Sequence, residues 1–251
     1  MARYTGKCMQ KYGVIGLIIA ATLVVLTSNV WAQTPFNFVG GVKLTNGNWS
    51  GVNSEPDNEA FYGEGGGLGI SAGYQKDKWV GALSLSLAGY NFDGTGPDRI
   101  PLDEYMGLDF KKAGASEFDL AFGYRVWPRL YPIFGFKRFG LVWEDPDITQ
   151  ELAGYSVGIA GNYPISKRFL LFGSVASESM NINIKVDGEA EDIGDARGVA
   201  IELGTAYYFS NRTLLQISLE GHSLENQYRN QKNQTHSIST ITIGLQRRFG
   251  K

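Results

Sequence analysis

Apolar residues recur at every second position over most of this sequence, and this limits the possible fold more than any other feature. In "EFDLAFGYRV", Phe118, Leu120, Phe122 and Tyr124 alternate with charged or small residues. The segments "GVAIELGTAYYF", "TLLQISLEGH" and "TITIGLQRRF" show the same alternation. No long window has the 3.6-residue period of a helix. A period of two predicts β-strands that have one apolar and one polar face.

The alternating runs predict ten strands, joined by connections that are short and long in turn. The predicted strands are 35–45, 65–75, 78–90, 113–126, 130–143, 152–163, 168–184, 197–209, 212–223 and 236–249. Four connections are short, "QKDK", "VWPR", "PISK" and "SNR", and five are longer and polar, near 46–64, 91–112, 144–151, 185–196 and 224–235. No linker interrupts the pattern, so we expect one all-β antiparallel domain. Eight strands is the alternative if two weak strands are loops.

The polar faces of these strands distinguish a membrane barrel from a soluble sandwich. They are rich in small residues: Gly67, Gly69, Ser71, Gly73, Ala82, Ser84, Ser86, Ala88, Gly154, Ser156, Gly158 and Ala160. A soluble surface would carry many Lys and Glu residues instead. Small residues suit the crowded interior of a narrow barrel, with the apolar face turned to lipid. We therefore expect a transmembrane β-barrel, and a soluble periplasmic sandwich is the competing fold.

Aromatic residues cluster beside the short connections, where they predict a belt at the membrane interface. The predicted interface residues are Tyr74, Trp79, Tyr124, Trp127, Tyr131, Tyr163, Tyr207 and Phe209.

The first 32 residues have the pattern of a secretory signal peptide, which is cleaved after Ala32. Basic residues precede the apolar run Val14 to Leu26, and "TSNVWA" follows it. That run is too short to span a membrane, although an uncleaved anchor is the alternative.

The only cysteine, Cys8, lies in this segment, so no disulfide framework is expected in residues 33–251. The chain's formal net charge of −2 argues against nucleic acid as a partner.

The signal peptide, the short turns, the long loops and the terminal "TITIGLQRRF" together resemble small Gram-negative outer-membrane β-barrel proteins, the broad porin-like class that includes opacity-type surface proteins. The resemblance covers residues 33–251. It implies short periplasmic turns, long extracellular loops and a place in the outer membrane of the cell envelope. It further implies contact with outer-membrane lipid, lipopolysaccharide and the assembly machinery. The oligomeric state is left open.

Charged residues on the lumenal face predict a network inside the barrel. They are Lys43, Glu117, Asp119, Arg125, Arg138, Glu202 and Glu220. Buried charges must be paired or hydrated. Two interpretations stay open: the network stiffens and fills a small barrel, or it forms a charged constriction that sets ion selectivity.

The segment "EGHSLENQ" supplies Glu220, His222 and Ser223, the residue types of a nucleophilic site. However, His222 and Ser223 are adjacent on a strand, so their side chains point to opposite faces. We therefore regard them as weak catalytic candidates. The acidic loops lack the spacing of a calcium-binding loop, and we expect no metal site and no cofactor.

The sequence predicts a non-enzymatic barrel with a structural or surface-interaction role. A narrow channel for small solutes is compatible with this role. The alternative is an enzyme at the outer rim that hydrolyses lipid A or another envelope component.

Overall fold

The computed structural model describes residues 38–53, 60–93, 112–143, 148–186, 189–229 and 233–249. These residues form ten strands: β1 (Phe38–Asn53), β2 (Ala60–Lys76), β3 (Trp79–Asp93), β4 (Lys112–Tyr124), β5 (Leu130–Trp143), β6 (Ile148–Pro164), β7 (Phe169–Val186), β8 (Glu189–Tyr208), β9 (Thr213–Tyr228) and β10 (Gln234–Phe249). Each strand pairs antiparallel with its sequence neighbours, and β1 pairs with β10 to close a barrel. The predicted ten-stranded barrel is confirmed, and the alternative of eight strands is wrong. Among the described residues, no helix is long and apolar enough to cross a membrane.

Short turns occupy the end of the barrel where β1 begins and β10 ends. We call it the periplasmic end, because the resemblance to outer-membrane barrels assigns short turns to the periplasm. The turn between β2 and β3 contains only Asp77 and Lys78, and Asp77 adopts a positive φ of 53°. Aspartate tolerates this left-handed conformation better than most residues. Ser166 and Ser210 each accept a hydrogen bond from a backbone N–H three residues later, at 3.1 Å in both turns. The predicted signal peptide, residues 1–32, lies outside the described residues.

The strands extend further at the extracellular end than the sequence predicts. For example, β8 begins at Glu189 and β9 ends at Tyr228, whereas the predicted strands begin at 197 and end at 223. Parts of all five predicted loops are therefore strand. The alternation continues through these parts with its apolar phase reversed, and this reversal makes their sequences resemble polar loops.

The strand β7 shows the reversal of phase most clearly. Near the periplasmic end its odd-numbered residues face outward and are apolar, as at Val175, which is 46% exposed. Beyond Ala176 the outward residues become Ser177, Ser179 and Asn181, while Met180, Ile182 and Ile184 point inward and are buried. The periplasmic half of the barrel is thus apolar outside, and the extracellular half is apolar inside.

The inward apolar residues of the extracellular half form a plug, which we define as the buried cluster contributed by every strand except β2. Its members are Trp49, Tyr90, Phe92, Ala113, Ala115, Leu141, Trp143, Ile148, Leu152, Met180, Ile182, Ile184, Ile193, Ala196, Leu224, Tyr228 and Ile238. The Trp49 ring packs edge-on against Tyr90, Phe92 and Phe139, with centroids 5.6 to 5.9 Å apart. The plug fills the barrel as the core of a soluble protein would.

The strand β2 contributes glycines where other strands contribute plug side chains. A Cβ at Gly63 would collide with the Phe92 ring, and one at Gly65 would lie 2.6 Å from the Tyr90 ring. The glycine run of β2 therefore makes room for the aromatic rings of β3.

Candidate functional site

A cluster of charged side chains lies in the lumen directly below the plug. We call it the charge cluster; its members are Glu117 and Asp119 on β4, Lys137 on β5, Glu178 on β7, and Glu220 and His222 on β9. Strand alternation points each of these side chains inward. The cluster thus links strands from both sides of the lumen at one level.

Lys137 is the centre of the charge cluster. Its Nζ lies 3.1 Å from Glu117 Oε1 and 3.3 Å from Glu220 Oε1. The same atom lies 3.8 Å from Glu178 Oε1 and 3.9 Å from Asp119 Oδ2. The Lys137 side chain is only 8% exposed, so it needs these carboxylates to offset the loss of its hydration.

His222 joins the two sides of the charge cluster. Its Nδ1 lies 3.1 Å from Glu178 Oε2, and its Nε2 lies 2.9 Å from Glu220 Oε1. An imidazolium would donate a hydrogen bond to both carboxylates, whereas a neutral ring could donate to only one. The imidazole ring therefore links Glu178 on β7 to Glu220 on β9.

Further polar side chains surround the charge cluster at the same level. The Ser86 hydroxyl donates to Glu117 Oε2 at 3.1 Å, and Lys43 Nζ donates to the Ser84 hydroxyl at 2.6 Å. Glu202 lies directly opposite Glu220 in the register of β8 and β9. Carboxylates outnumber ammonium groups in this layer, which makes the layer attractive to cations.

Three side chains of the charge cluster are also of the types that ligate metal ions. Donor atoms of Glu117, Glu220 and His222 lie within 4.8 Å of one another, close enough to share one ion. However, Lys137 Nζ lies within 3.3 Å of all three side chains. The ammonium group already takes the place that a cation would occupy, so the arrangement favours an internal ion pair over a metal centre.

The closed barrel has counterparts among known proteins. The model of the family described as "Outer membrane protein beta-barrel domain" matches residues 18–249. This chain belongs to that family. Together with the barrel, the match places the protein in the outer membrane of a Gram-negative bacterium. A search of the curated proteins finds no match for this outer-membrane barrel.

Several solved structures are similar to this outer-membrane barrel in fold. The outer membrane protease OmpT from Escherichia coli has a TM-score of 0.54 and 11% identity, with 89% of this chain and 100% of that chain covered. An outer membrane channel from Pseudomonas putida F1 has a TM-score of 0.49 and 12% identity, with 90% and 100% covered. Neisserial surface protein A has a TM-score of 0.43 and 10% identity, with 84% and 97% covered. At these identities, the likeness to OmpT supports the barrel fold alone.

Most of the residues that the sequence placed in one lumenal network face the lumen. Lys43, Glu117, Asp119, Glu202 and Glu220 point into the lumen of the barrel. Arg125 is half-buried and lies just after the end of β4, in the short turn before β5.

Arg138 is wrongly assigned to the lumen. It is on the outer face of β5, 59% exposed, and its Nη2 donates to Glu151 Oε2 at 2.6 Å. The neighbouring Lys137 takes the inward position instead, because one step along a strand reverses the direction of the side chain.

Most of the predicted interface aromatics lie on the outer face near the short turns. Tyr74, Trp79, Tyr124, Trp127 and Phe209 are exposed there, while Tyr163 and Tyr207 are half-buried. Tyr131 was predicted to lie in this belt, and that prediction is wrong. It occupies an inward position of β5, where its ring approaches Gly123 and its hydroxyl hydrogen-bonds Asn162.

The nucleophilic site suggested by the sequence does not assemble. His222 and Glu220 point into the lumen, whereas Ser223 is exposed on the outer face. Both ring nitrogens of His222 face carboxylates, so the imidazole is not directed at a hydroxyl.

Sequence reasoning missed Lys137 and Glu178. Glu178 sits in "SVASESMN", where the inward positions run from Ser174 through Ala176 to Met180. Following that parity through the change of phase would have placed Glu178 in the lumen. Its partners, however, come from strands far apart in sequence, which only the register reveals.

Proposed function

We propose that this outer-membrane barrel is closed along its axis and serves a structural and surface-interaction role. The observation that carries the proposal is the plug. Leu141, Ile148 and Ile182 have no exposed surface, and Trp143 is 1% exposed. A narrow apolar constriction excludes water and ions, because it loses its water by dewetting. A plug packed from nine strands therefore argues against an axial passage.

The part of the barrel above the membrane supports a role at the cell surface. Its outward residues are polar on several strands, as at Asn48, Asn91, Asn181 and Gln227. The strand β9 continues nine residues beyond its last lipid-facing residue, Leu219. With a rise of about 3.3 Å per residue and a tilt of about 40°, this extension projects roughly 20 Å beyond the membrane. We name this part of the barrel the extracellular extension.

The proposed partner of the extracellular extension is lipopolysaccharide, because the outer surface of the extension is acidic. Its outer surface includes Glu64, Glu151, Asp195 and Glu225, and acidic loop sequences continue beyond it. Such a surface would meet lipopolysaccharide through shared divalent cations, since both surfaces are rich in anionic oxygen. A non-enzymatic role is consistent with the separation of His222 from Ser223.

Cysteine labelling on intact cells tests whether the extension is presented at the surface. Single-cysteine variants Ser179→Cys and Gln227→Cys place a thiol on its outer face, and Lys167→Cys places one in a short turn. We expect a membrane-impermeant maleimide to label the first two variants on intact cells, and to label Lys167→Cys only after permeabilisation. The unsubstituted chain gives the background. Labelling of Lys167→Cys on intact cells without labelling of the other two would reverse the orientation and overturn the proposal.

A further inference from the structure

The periplasmic end of the barrel carries a ring of exposed basic side chains, which we name the basic collar. It consists of Lys76, Lys78, Lys167, Arg168, Arg212 and Arg247, all of which are exposed. Asp77 is the only acidic residue in the described turns at this end. The collar therefore has a high local density of positive charge, although the chain as a whole has a net charge of −2.

The turns hold the collar in a defined geometry. In two of them a serine hydroxyl accepts hydrogen bonds from the arginine N–H two residues later and from the N–H after it: Ser166 from Arg168 and Phe169, and Ser210 from Arg212 and Thr213. The two arginines therefore occupy equivalent positions in adjacent turns. The basic side chains are displayed from fixed backbone and not from mobile loops.

Aromatic side chains fix the depth of the collar in the membrane. Trp79 and Trp127 are 60% and 59% exposed on the outer face, beside Lys78 and Arg129. Lys78 Nζ lies 5.8 Å from the centroid of the Tyr124 ring, and the Arg129 guanidinium lies 5.0 Å from that of Tyr163. Tryptophan and tyrosine sit at the headgroup level of a bilayer. The collar therefore lies at the level of the headgroups of the periplasmic leaflet.

The opposite end of the barrel has a different balance of charge. Basic and acidic side chains are mixed there: Arg138 pairs with Glu151, and Arg229 with Asp192, each at 2.6 Å. Lys112, Lys185 and Arg197 share that end with exposed carboxylates such as Asp195 and Glu225. The excess of positive charge is thus confined to one of the two membrane interfaces.

We propose that the basic collar binds the anionic headgroups of phospholipids in the periplasmic leaflet. Long basic side chains at a membrane interface extend toward headgroup phosphates, and a cluster of them attracts anionic lipids electrostatically. The collar thus enriches anionic phospholipid around the barrel and orients it in the bilayer. This goes beyond the proposed surface role and is independent of whether the lumen conducts.

Fluorescence quenching by brominated lipids tests the collar, because the tryptophans report on it selectively. Trp79 and Trp127 face lipid beside the collar, whereas Trp49 and Trp143 are buried in the plug. The predicted mature chain, residues 33–251, is refolded into vesicles that contain brominated phosphatidylglycerol or brominated phosphatidylcholine. We expect severalfold stronger association of phosphatidylglycerol at low salt. The preference should weaken as salt screens the exposed charges.

Two variants that each replace three basic residues by neutral glutamine distinguish the collar from a general electrostatic effect. The collar variant combines Lys76→Gln, Lys78→Gln and Lys167→Gln, which lie at the turns nearest to Trp79 and Trp127. The matched control combines Lys112→Gln, Lys185→Gln and Arg197→Gln in the extension. We expect the first variant to lose most of the preference for phosphatidylglycerol and the second to keep it. Heat-dependent migration in detergent gels confirms that both are folded. A wild-type chain without preference, or a preference that the collar variant retains, would overturn the proposal and direct attention to an acidic periplasmic protein.

Discussion

Two adjacent residues, Lys137 and Arg138, show how strongly the environment of a side chain determines its energetic role. Both are basic, both contact carboxylates, and they differ in the side of the sheet that they occupy. Lys137 is enclosed by carboxylates in the lumen, while Arg138 forms one exposed pair with Glu151. Breaking a buried ion pair leaves uncompensated charge, whereas an exposed pair contributes little.

Replacing each of these residues tests that difference. We expect Lys137→Met to lower the free energy of unfolding by about 3 to 5 kcal/mol, because it leaves buried carboxylates without their ammonium partner. Arg138→Met should change it by less than about 1 kcal/mol, since its pair is exposed. Urea unfolding in lipid vesicles measures both values. Equal effects of the two substitutions would contradict the central role assigned to Lys137.

At the scale of the elements, the main feature is the change of phase within each strand. On β3 the outward residues Leu85 and Leu87 are apolar, and the inward residues Tyr90 and Phe92 take over only a few positions later. The backbone alternation stays constant while the surroundings change from lipid and wet lumen to water and plug. The glycines of β2 belong to this arrangement, because they accommodate the rings that β3 directs inward.

Adding a methyl group to one of these glycines tests the fit between β2 and the plug. We expect Gly63→Ala to lower the free energy of unfolding by about 1 to 3 kcal/mol, because its Cβ would overlap the packed Phe92 ring. Gly89→Ala is the matched control on β3, since a Cβ there meets nothing within 4 Å. Urea unfolding compares the two. If Gly63→Ala were as stable as Gly89→Ala, the plug would be looser at β2 than the contacts indicate.

The elements also show what could be predicted from the sequence. The strand number and the short turns were predictable, because alternation and turn residues such as "QKDK" are local signals. The outer parts of the strands were not, because the reversed phase places Asn and Ser outside and resembles a polar loop. The lumenal direction of Glu117 and Glu220 followed from parity. Their meeting at Lys137 depends on how β4, β5 and β9 align, and no local signal specifies that.

Over the whole molecule, three layers follow one another along the barrel axis: the basic collar, the charge cluster in a lumen of small residues, and the plug inside the extracellular extension. The lower two layers are adapted to lipid outside, and the third is built like a soluble β-barrel. The plug also accounts for much of the packed core, since the narrow lumen below it is lined by small residues such as Gly69, Ala82 and Ala160. Because the plug fills the third layer, the lumen is closed toward the extracellular end.

Conductance of the refolded chain, residues 33–251, in a planar bilayer tests this claim most directly. The wild-type barrel should be silent, as should a control with both outer tryptophans replaced, Trp79→Ala with Trp127→Ala. A variant that opens the plug, Trp49→Ala with Trp143→Ala, should show discrete steps with a preference for cations, because carboxylates dominate the lumen below it. Discrete steps from the folded wild-type barrel, unchanged when the plug is opened, would contradict the account.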